Sequence, residues 1–164
     1  MVWAAIYHDG RSELVRFDTT TSTSKRGGIT ASIYNAQIIQ GPLLQHWRKL
    51  KNRWRGYGGD NYIVEDNAAV HWGAQARPKG RALGMRYLPH PPSSPDLNPI
   101  ENLWACLKHR MDQLPTRPST LDELFEVAQQ VWQEIPQDII NRCIISMDDR
   151  IFWVYKNRGR PSKY

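Results

Sequence analysis

Long apolar runs are missing from this chain: nothing in its 164 residues approaches the ~20 consecutive apolar positions a membrane-spanning helix needs. A secretory leader pattern is missing too, so the reading excludes a membrane partner and expects a soluble intracellular protein. Cysteine is scarce. Cys106 and Cys143 are the only two and lack metal-ligand spacing, which excludes a disulfide framework or a zinc module and leaves them as small reduced core residues. Acidic residues are outnumbered, 16 against 22 Lys and Arg, giving a net charge of +6 and a pI near 9.5. That imbalance favours a polyanionic partner over a small-molecule substrate. Internal repeats are absent, which excludes a solenoid.

What is present speaks for one globular domain: 40% apolar residues and seven tryptophans in a length that can bury a real core. The positive charge is unevenly spread. Arg48, Lys49, Lys51, Arg53 and Arg55 crowd together with Trp47 and Trp54 interleaved; Arg77, Lys79, Arg81 and Arg86 follow; Lys156, Arg158, Arg160 and Lys163 close the chain. Any one cluster is equally well an ordinary solvated face. Three in one small domain point to nucleic acid.

Along the chain, residues 2–7 and 13–17 read as two antiparallel strands joined at Asp9-Gly10. A Thr/Ser-rich loop follows, then a helical pattern from Ile29 to Leu50 that Gly41-Pro42 kinks or breaks. Gly56–Asp60 reads as a turn, residues 61–65 and 85–88 as short strands, and 72–76 as a brief helix. Asn98 is placed to cap a helix with Pro99 at its first position and Ile100, Leu103, Trp104, Leu107, Met111 and Leu114 on one face. Thr120 to Glu123 forms a capping box ahead of a helix whose expected core face is Leu121, Leu124, Phe125, Ala128, Val131 and Trp132. A last helical stretch runs from Pro136 toward Lys156. The order predicts an α/β fold, a mixed sheet flanked by helices.

Two segments carry chemistry. Asp66 ends a predicted strand, where open α/β sheets place ligand sites, and Glu101 falls in the first turn of a helix. Two such carboxylates can hold a hard cation through oxygen, and a metal pair held this way activates a water or hydroxyl toward a phosphodiester. Blander readings stand beside these. Glu101 has the position of a capping-box glutamate, Asp66 that of a turn residue, His71 that of a hydrogen-bonded structural histidine, and Asp96 that of an organiser of the proline-rich loop.

The run Ser94-Pro95-Asp96-Leu97-Asn98-Pro99-Ile100-Glu101-Asn102-Leu103-Trp104 resembles the signature around the last catalytic carboxylate of mariner-superfamily DDE transposases. Asp66-Asn67-Ala68-Ala69-Val70-His71 resembles the block around their second catalytic aspartate, and the 34 residues between Asp66 and Glu101 match one large branch. Met1-Val2-Trp3 resembles the strand after the family's first acidic block, and Ser146–Tyr164 its closing helix and tail. The resemblance implies an RNase H-like fold, magnesium or manganese as cofactor, and DNA as partner. Asp66 and Glu101 inherit the catalytic and metal-binding roles, and His71 and the basic clusters nucleic-acid binding. It also implies a nuclear location in a eukaryotic host, with a homodimer as a further partner.

The match has gaps. The family's first carboxylate lies on a central strand ahead of the one that begins here, and the acidic substitutes nearby, Asp9 and Asp18, are out of phase. The expectation is therefore an RNase H-like sheet lacking that strand, and a chain that does not cleave DNA by itself. Glu65 and Ala69 stand where the family more often has Gln and Pro. Sequence-specific recognition modules are not among these residues, which leaves salt-sensitive backbone binding. The tail Arg158-Gly159-Arg160-Pro161 resembles a minor-groove AT-hook core. The alternatives are a non-catalytic DNA-binding or interaction module and a degraded transposon remnant.

Overall fold

The N-terminal hairpin shows how a single serine splits a ladder. In the computed structural model, which describes residues 1–53, 61–73 and 75–162, the expected strand 2–7 is two short strands, β1 (Val2–Trp3) and β2 (Ile6–Tyr7). Their antiparallel partners are β4 (Val15–Arg16) and β3 (Gly10–Arg11). The register steps by one residue between the two pairs, from Val2↔Arg16 to Ile6↔Arg11, so the returning strand carries one extra residue, a bulge. Ser12 fills it. Its hydroxyl accepts from the Ala5 N–H at 2.7 Å, its own N–H donates to the Ala5 carbonyl at 2.8 Å, and its carbonyl accepts from the Trp132 indole at 2.9 Å. The turn is His8-Asp9, one residue earlier than the Asp-Gly dipeptide suggested, with Asp9 in the left-handed region (φ 61°). Gly10 pairs instead with Tyr7, whose ring would overlap any Cβ there.

The described residues form two compact units, 1–16 with 94–164 and 17–93. The first unit holds the hairpin and, among its described residues, α5 (Ile100–Asp112), α6 (Leu121–Glu134), α7 (Gln137–Ile145) and α8 (Met147–Lys156), numbered in chain order after the helices of the second unit. Its core is Ala4, Leu14, Leu103, Leu107, Val131, Trp132, Ile135 and Ile140, with Trp104 stacked on Trp132 at 5.2 Å. The Thr120–Glu123 capping box is as read from sequence, and so is the face of α5 from Ile100 to Met111; Leu114 lies past the end of the helix and outside the core cluster. Leu121 and Leu124 are not core residues: they lie exposed in the first turn of α6, outside the cluster that Phe125, Ala128, Val131 and Trp132 join. The expected last helix is two, broken at Ser146. Both cysteines are free and pack against this core.

In the second unit, α1 (Ala31–Tyr34) opens with Thr30 as its cap, and α2 (Leu44–Arg53) closes the same helical stretch. Between them Asn35–Leu43 is π-helical, and Gly41 leaves helical geometry (φ −110°, ψ −112°) just ahead of Pro42. Pro42 has no N–H, and its ring crowds the carbonyl four residues back, so the ladder widens instead of continuing. Ile33, Tyr34, Ile38, Ile39, Leu43, Leu44 and Trp47 line the buried side. Next come α3 (Ala69–Trp72), which ends where the brief helix expected at 72–76 was to begin, and α4 (Arg77–Ala82), which went unpredicted. The expected strands 61–65 and 85–88 reduce to one parallel bridge, Ile63↔Tyr87. Among the described residues the predicted mixed sheet is thus two small antiparallel ladders and this bridge. No described helix is long and apolar enough to cross a membrane.

Candidate metal and nucleic-acid site

Residues 61–65 keep a strand's alternation, with Tyr62 and Val64 exposed and Glu65 buried, so Asp66 emerges on the solvent side just before α3. Its Oδ1 accepts from the Ala68 N–H at 3.0 Å and lies 2.8 Å from His71 Nδ1. The first contact is an Asx turn, so the turn role weighed from sequence is real. It occupies one oxygen only; the side chain is 52% exposed, and Oδ2 has no hydrogen bond among the described residues. His71 is therefore not a loose surface cation. Its ring packs on Tyr34 at 4.7 Å while its Nδ1 faces Asp66.

Behind Asp66 lies a buried polar assembly that sequence reasoning missed. Glu65 accepts from the Tyr34 hydroxyl at 2.7 Å through Oε1 and from Arg77 Nε at 3.4 Å through Oε2. The Arg77 guanidinium lies 3.8 Å over the Trp72 ring. Arg77, read as part of a solvated basic cluster, is buried. Tyr87 sits beside it. Burial pushes its phenol up from the ordinary value, with the Glu65 charge adding to the effect.

Glu101 stands in the first turn of α5, its N–H bonded to the Asn98 carbonyl at 3.1 Å. Helix residues begin at Ile100, with Pro99 in the capping position, one residue later than expected. Asn98 is extended and contributes its carbonyl. Glu101 thus lies in the first turn of a 13-residue helix, the end at which the helix dipole is positive. The preceding loop is organised by Asp96, as anticipated. Its Oδ2 accepts from the Ser162 N–H at 2.7 Å, and its carbonyl accepts from Arg150 Nη1 at 2.8 Å. Burial raises the Asp96 pKa, but hydrogen bonds from Ser162, from its own N–H and from Leu97 outweigh that and hold it below the ordinary value.

Of the basic residues, Arg48, Lys49, Lys51 and Arg53 are exposed on α2, whose Leu44 and Trp47 are buried, and Lys79 and Arg81 are exposed on α4. Arg55, Trp54, Lys163 and the turn at 56–60 lie outside the described residues. Arg158 and Arg160 are exposed, but Arg158 and Gly159 are left-handed (φ 55° and 82°) and the Gly159 N–H returns to the Val154 carbonyl. This closes α8 as a helix cap, not as an extended minor-groove hook. Asp9 and Asp18 are both engaged locally. Asp9 faces His8 at 3.1 Å and accepts from Asn141 at 2.8 Å, and Asp18 accepts from the Thr20 N–H at 2.9 Å. Among the described residues no group of three or more His, Cys, Asp or Glu gathers to hold a metal.

The profile of the DDE superfamily endonuclease family matches residues 20–124. The chain is similar to the transposable element Tc3 transposase of Caenorhabditis elegans (31% identical over 105 residues, 64% of this chain and 32% of the relative). It is similar to the Tc1 transposase of the same organism (33% over 115 residues, 70% and 40%) and to the Tcb1 transposase of Caenorhabditis briggsae (31% over 162 residues, 97% and 57%). The chain thus spans between about a third and just over half of these relatives. Among solved structures, the Mos1 transposase catalytic domain with Raltegravir and Mg aligns with a TM-score of 0.70 at 20% identity, covering 83% of this chain and 66% of that one. The pre-cleavage Mos1 transpososome aligns with a TM-score of 0.69 at 19% identity, covering 83% and 39%. These likenesses show a shared fold.

Proposed function

This chain belongs to the DDE superfamily endonuclease family, among mariner-type transposases, and from that premise we propose that it serves divalent-cation-dependent cleavage and joining of DNA, with Asp66 and Glu101 as carboxylate ligands. The observation that carries this reading is that the matched residues 20–124 include both carboxylates, Glu101 in the first turn of α5 and Asp66 three residues ahead of α3 with one oxygen free of hydrogen bonds among the described residues. Carboxylate oxygens are the donors that Mg²⁺ and Mn²⁺ prefer, so the residues fit such an ion. When bound, it would activate a water or a 3′-hydroxyl and stabilise the leaving oxygen. The chain's own residues do the rest: His71 holds Oδ1 of Asp66, and Arg48, Lys49, Lys51, Arg53, Lys79 and Arg81 meet phosphates of the duplex. A nuclear setting in a eukaryotic host follows from that substrate.

Asp9 and Asp18 are not counted as the third carboxylate that a two-metal clamp needs: both oxygens of Asp9 are engaged by His8 and Asn141, and Asp18, with one oxygen on the Thr20 N–H, is out of phase in the sequence with the family's first carboxylate. We therefore propose that the 164-residue chain, used alone, binds DNA without cutting it efficiently, as a non-catalytic DNA-binding module does. The test is a supercoiled plasmid incubated with the purified chain and Mg²⁺ or Mn²⁺, alongside Asp66→Asn and Glu101→Gln. Retardation without nicking is expected. Robust nicking lost in Asp66→Asn overturns the inactivity while supporting the ligand role; absence of any retardation overturns the DNA reading.

A further inference from the structure

We infer that the buried Glu65–Arg77 pair, together with Tyr34, is a positioning assembly that fixes the orientation of Asp66; its use, though not its geometry, rests on the proposed ligand role of Asp66. The pair is an expensive thing to keep for stability alone. Both side chains are nearly inaccessible, 7% and 5%, and burying two charges costs more than their attraction returns unless every polar atom is satisfied. Here one is not: Arg77 Nη2 is buried without a hydrogen-bond partner among the described residues. Apolar residues of similar volume would hold a core at least as well.

What the pair does reach, through intermediate side chains, is the carboxylate of Asp66 and the neighbouring Asn67, by two routes. On one side Glu65 accepts from the Tyr34 hydroxyl, the Tyr34 ring packs on His71 at 4.7 Å, and His71 Nδ1 lies 2.8 Å from Asp66 Oδ1. On the other, the Arg77 guanidinium covers Trp72 at 3.8 Å, and the Trp72 indole donates to Asn67 Oδ1 at 3.0 Å. Asn67 in turn donates to the His90 carbonyl at 2.9 Å. Both neighbours of Asp66 in sequence, and the histidine that grips its carboxylate, are therefore tied to one guanidinium. A rigid backing of this kind is what a metal ligand held at a strand end requires, because its partners fix which oxygen is presented. Arg77, Glu65 and Tyr34 touch no reacting group; they act through His71 and Asn67 and are positioning residues.

The test uses the intact chain and two readouts. Tyr34→Phe removes only the hydroxyl link and keeps the ring, so it folds even if Arg77→Met does not; Arg77→Lys is the conservative variant. The first readout is the His71 imidazole ¹⁵N signature in the folded protein, set beside the urea midpoint. The second is broadening of Asp66 and Asn67 signals by Mn²⁺. Tyr34→Phe and Arg77→Met are expected to shift the Nδ1 signature and to weaken Mn²⁺ binding several-fold, with Arg77→Lys recovering part of both. A lowered urea midpoint with the Nδ1 signature of the folded fraction unchanged overturns the inference, since a merely structural role predicts that. Wild-type protein that shows no Mn²⁺ broadening while its variants shift the Nδ1 signature overturns the ligand role of Asp66 and upholds the assembly.

Discussion

Gly80 occupies the interior of α4, where alanine is ordinarily the better helix former by ~1 kcal/mol. Here the Tyr87 hydroxyl lies against its Cα, and a Cβ would overlap that oxygen. Overpacking of this kind costs about 1–3 kcal/mol, so Gly80→Ala is expected to destabilise the protein in a urea titration. In a Tyr87→Leu background the same substitution should be neutral or stabilising, because the clash is gone and the propensity gain remains. A loss of equal size in both backgrounds would mean that Tyr87 is not what constrains the position. Neither contact was legible in sequence, for the reason that misled the reading of Arg77. Arg77, Lys79 and Arg81 look alike as charges two residues apart, yet an arginine's long stem and planar head allow either solvation or burial against an aromatic ring. Residue identity gave the charge; only the surroundings of α4 decide which of the three turns inward. Motif and spacing single out Asp66 and Glu101 in the sequence, whereas the residues that hold Asp66 and its two neighbours in place are spread from Tyr34 to His90 and share no pattern.

At the level of elements, alternation placed both arms of the hairpin, but the bulge that splits it has no sequence signature beyond a serine in a strand. Ser12 is 1% exposed, and its hydroxyl stands in for the missing ladder partner of the Ala5 amide. Ser12→Ala leaves that part-buried N–H without its partner, which costs up to about 1–3 kcal/mol. The expected outcome is a lower urea midpoint and faster hydrogen exchange at Ala5, with the Gly10–Arg11 end of the hairpin still protected. The closing helical stretch has a similar lesson. Pro136 marks its start, but its division into α7 and α8 involves neither glycine nor proline. Arg150 Nε donates to the Ser146 hydroxyl at 2.9 Å, and that hydroxyl donates to the Cys143 carbonyl at 2.7 Å, stabilising the break from within. The same Arg150 and the tail at Ser162 hold the Asp96 loop that leads into Glu101. Because the folded-state pKa of Asp96 is depressed, its contribution to stability is present above its unfolded value near 3.8 and disappears as pH falls through the lower folded value. Asp96→Asn should therefore lower the urea midpoint at pH 7 and leave wild type and variant alike once pH has fallen below both values. A gap that persists unchanged at low pH would assign the effect to shape instead of charge.

For the molecule as a whole the deciding quantity is where its +6 excess sits. If the exposed cations of α2 meet the DNA backbone, affinity must fall with salt in proportion to the phosphates they neutralise, the logarithmic slope changing by about 0.9 per contact. Replacing Arg48, Lys49, Lys51 and Arg53 together by alanine should flatten that slope by roughly 2–4 units and weaken binding to every duplex alike, since phosphate contacts carry no sequence. Fluorescence titrations at several salt concentrations measure it. Lys79→Ala with Arg81→Ala, both exposed on α4, should flatten it by a smaller step. Arg150→Met supplies the control. It also removes one positive charge, but from a side chain 1% exposed, whose guanidinium is spent on Asp96 and Ser146. In the folded protein that change should leave the slope where it was. If it flattens the slope as much as an exposed cation does, net charge and not the placement of α2 governs binding, and the duplex is met by a diffuse field with no defined surface.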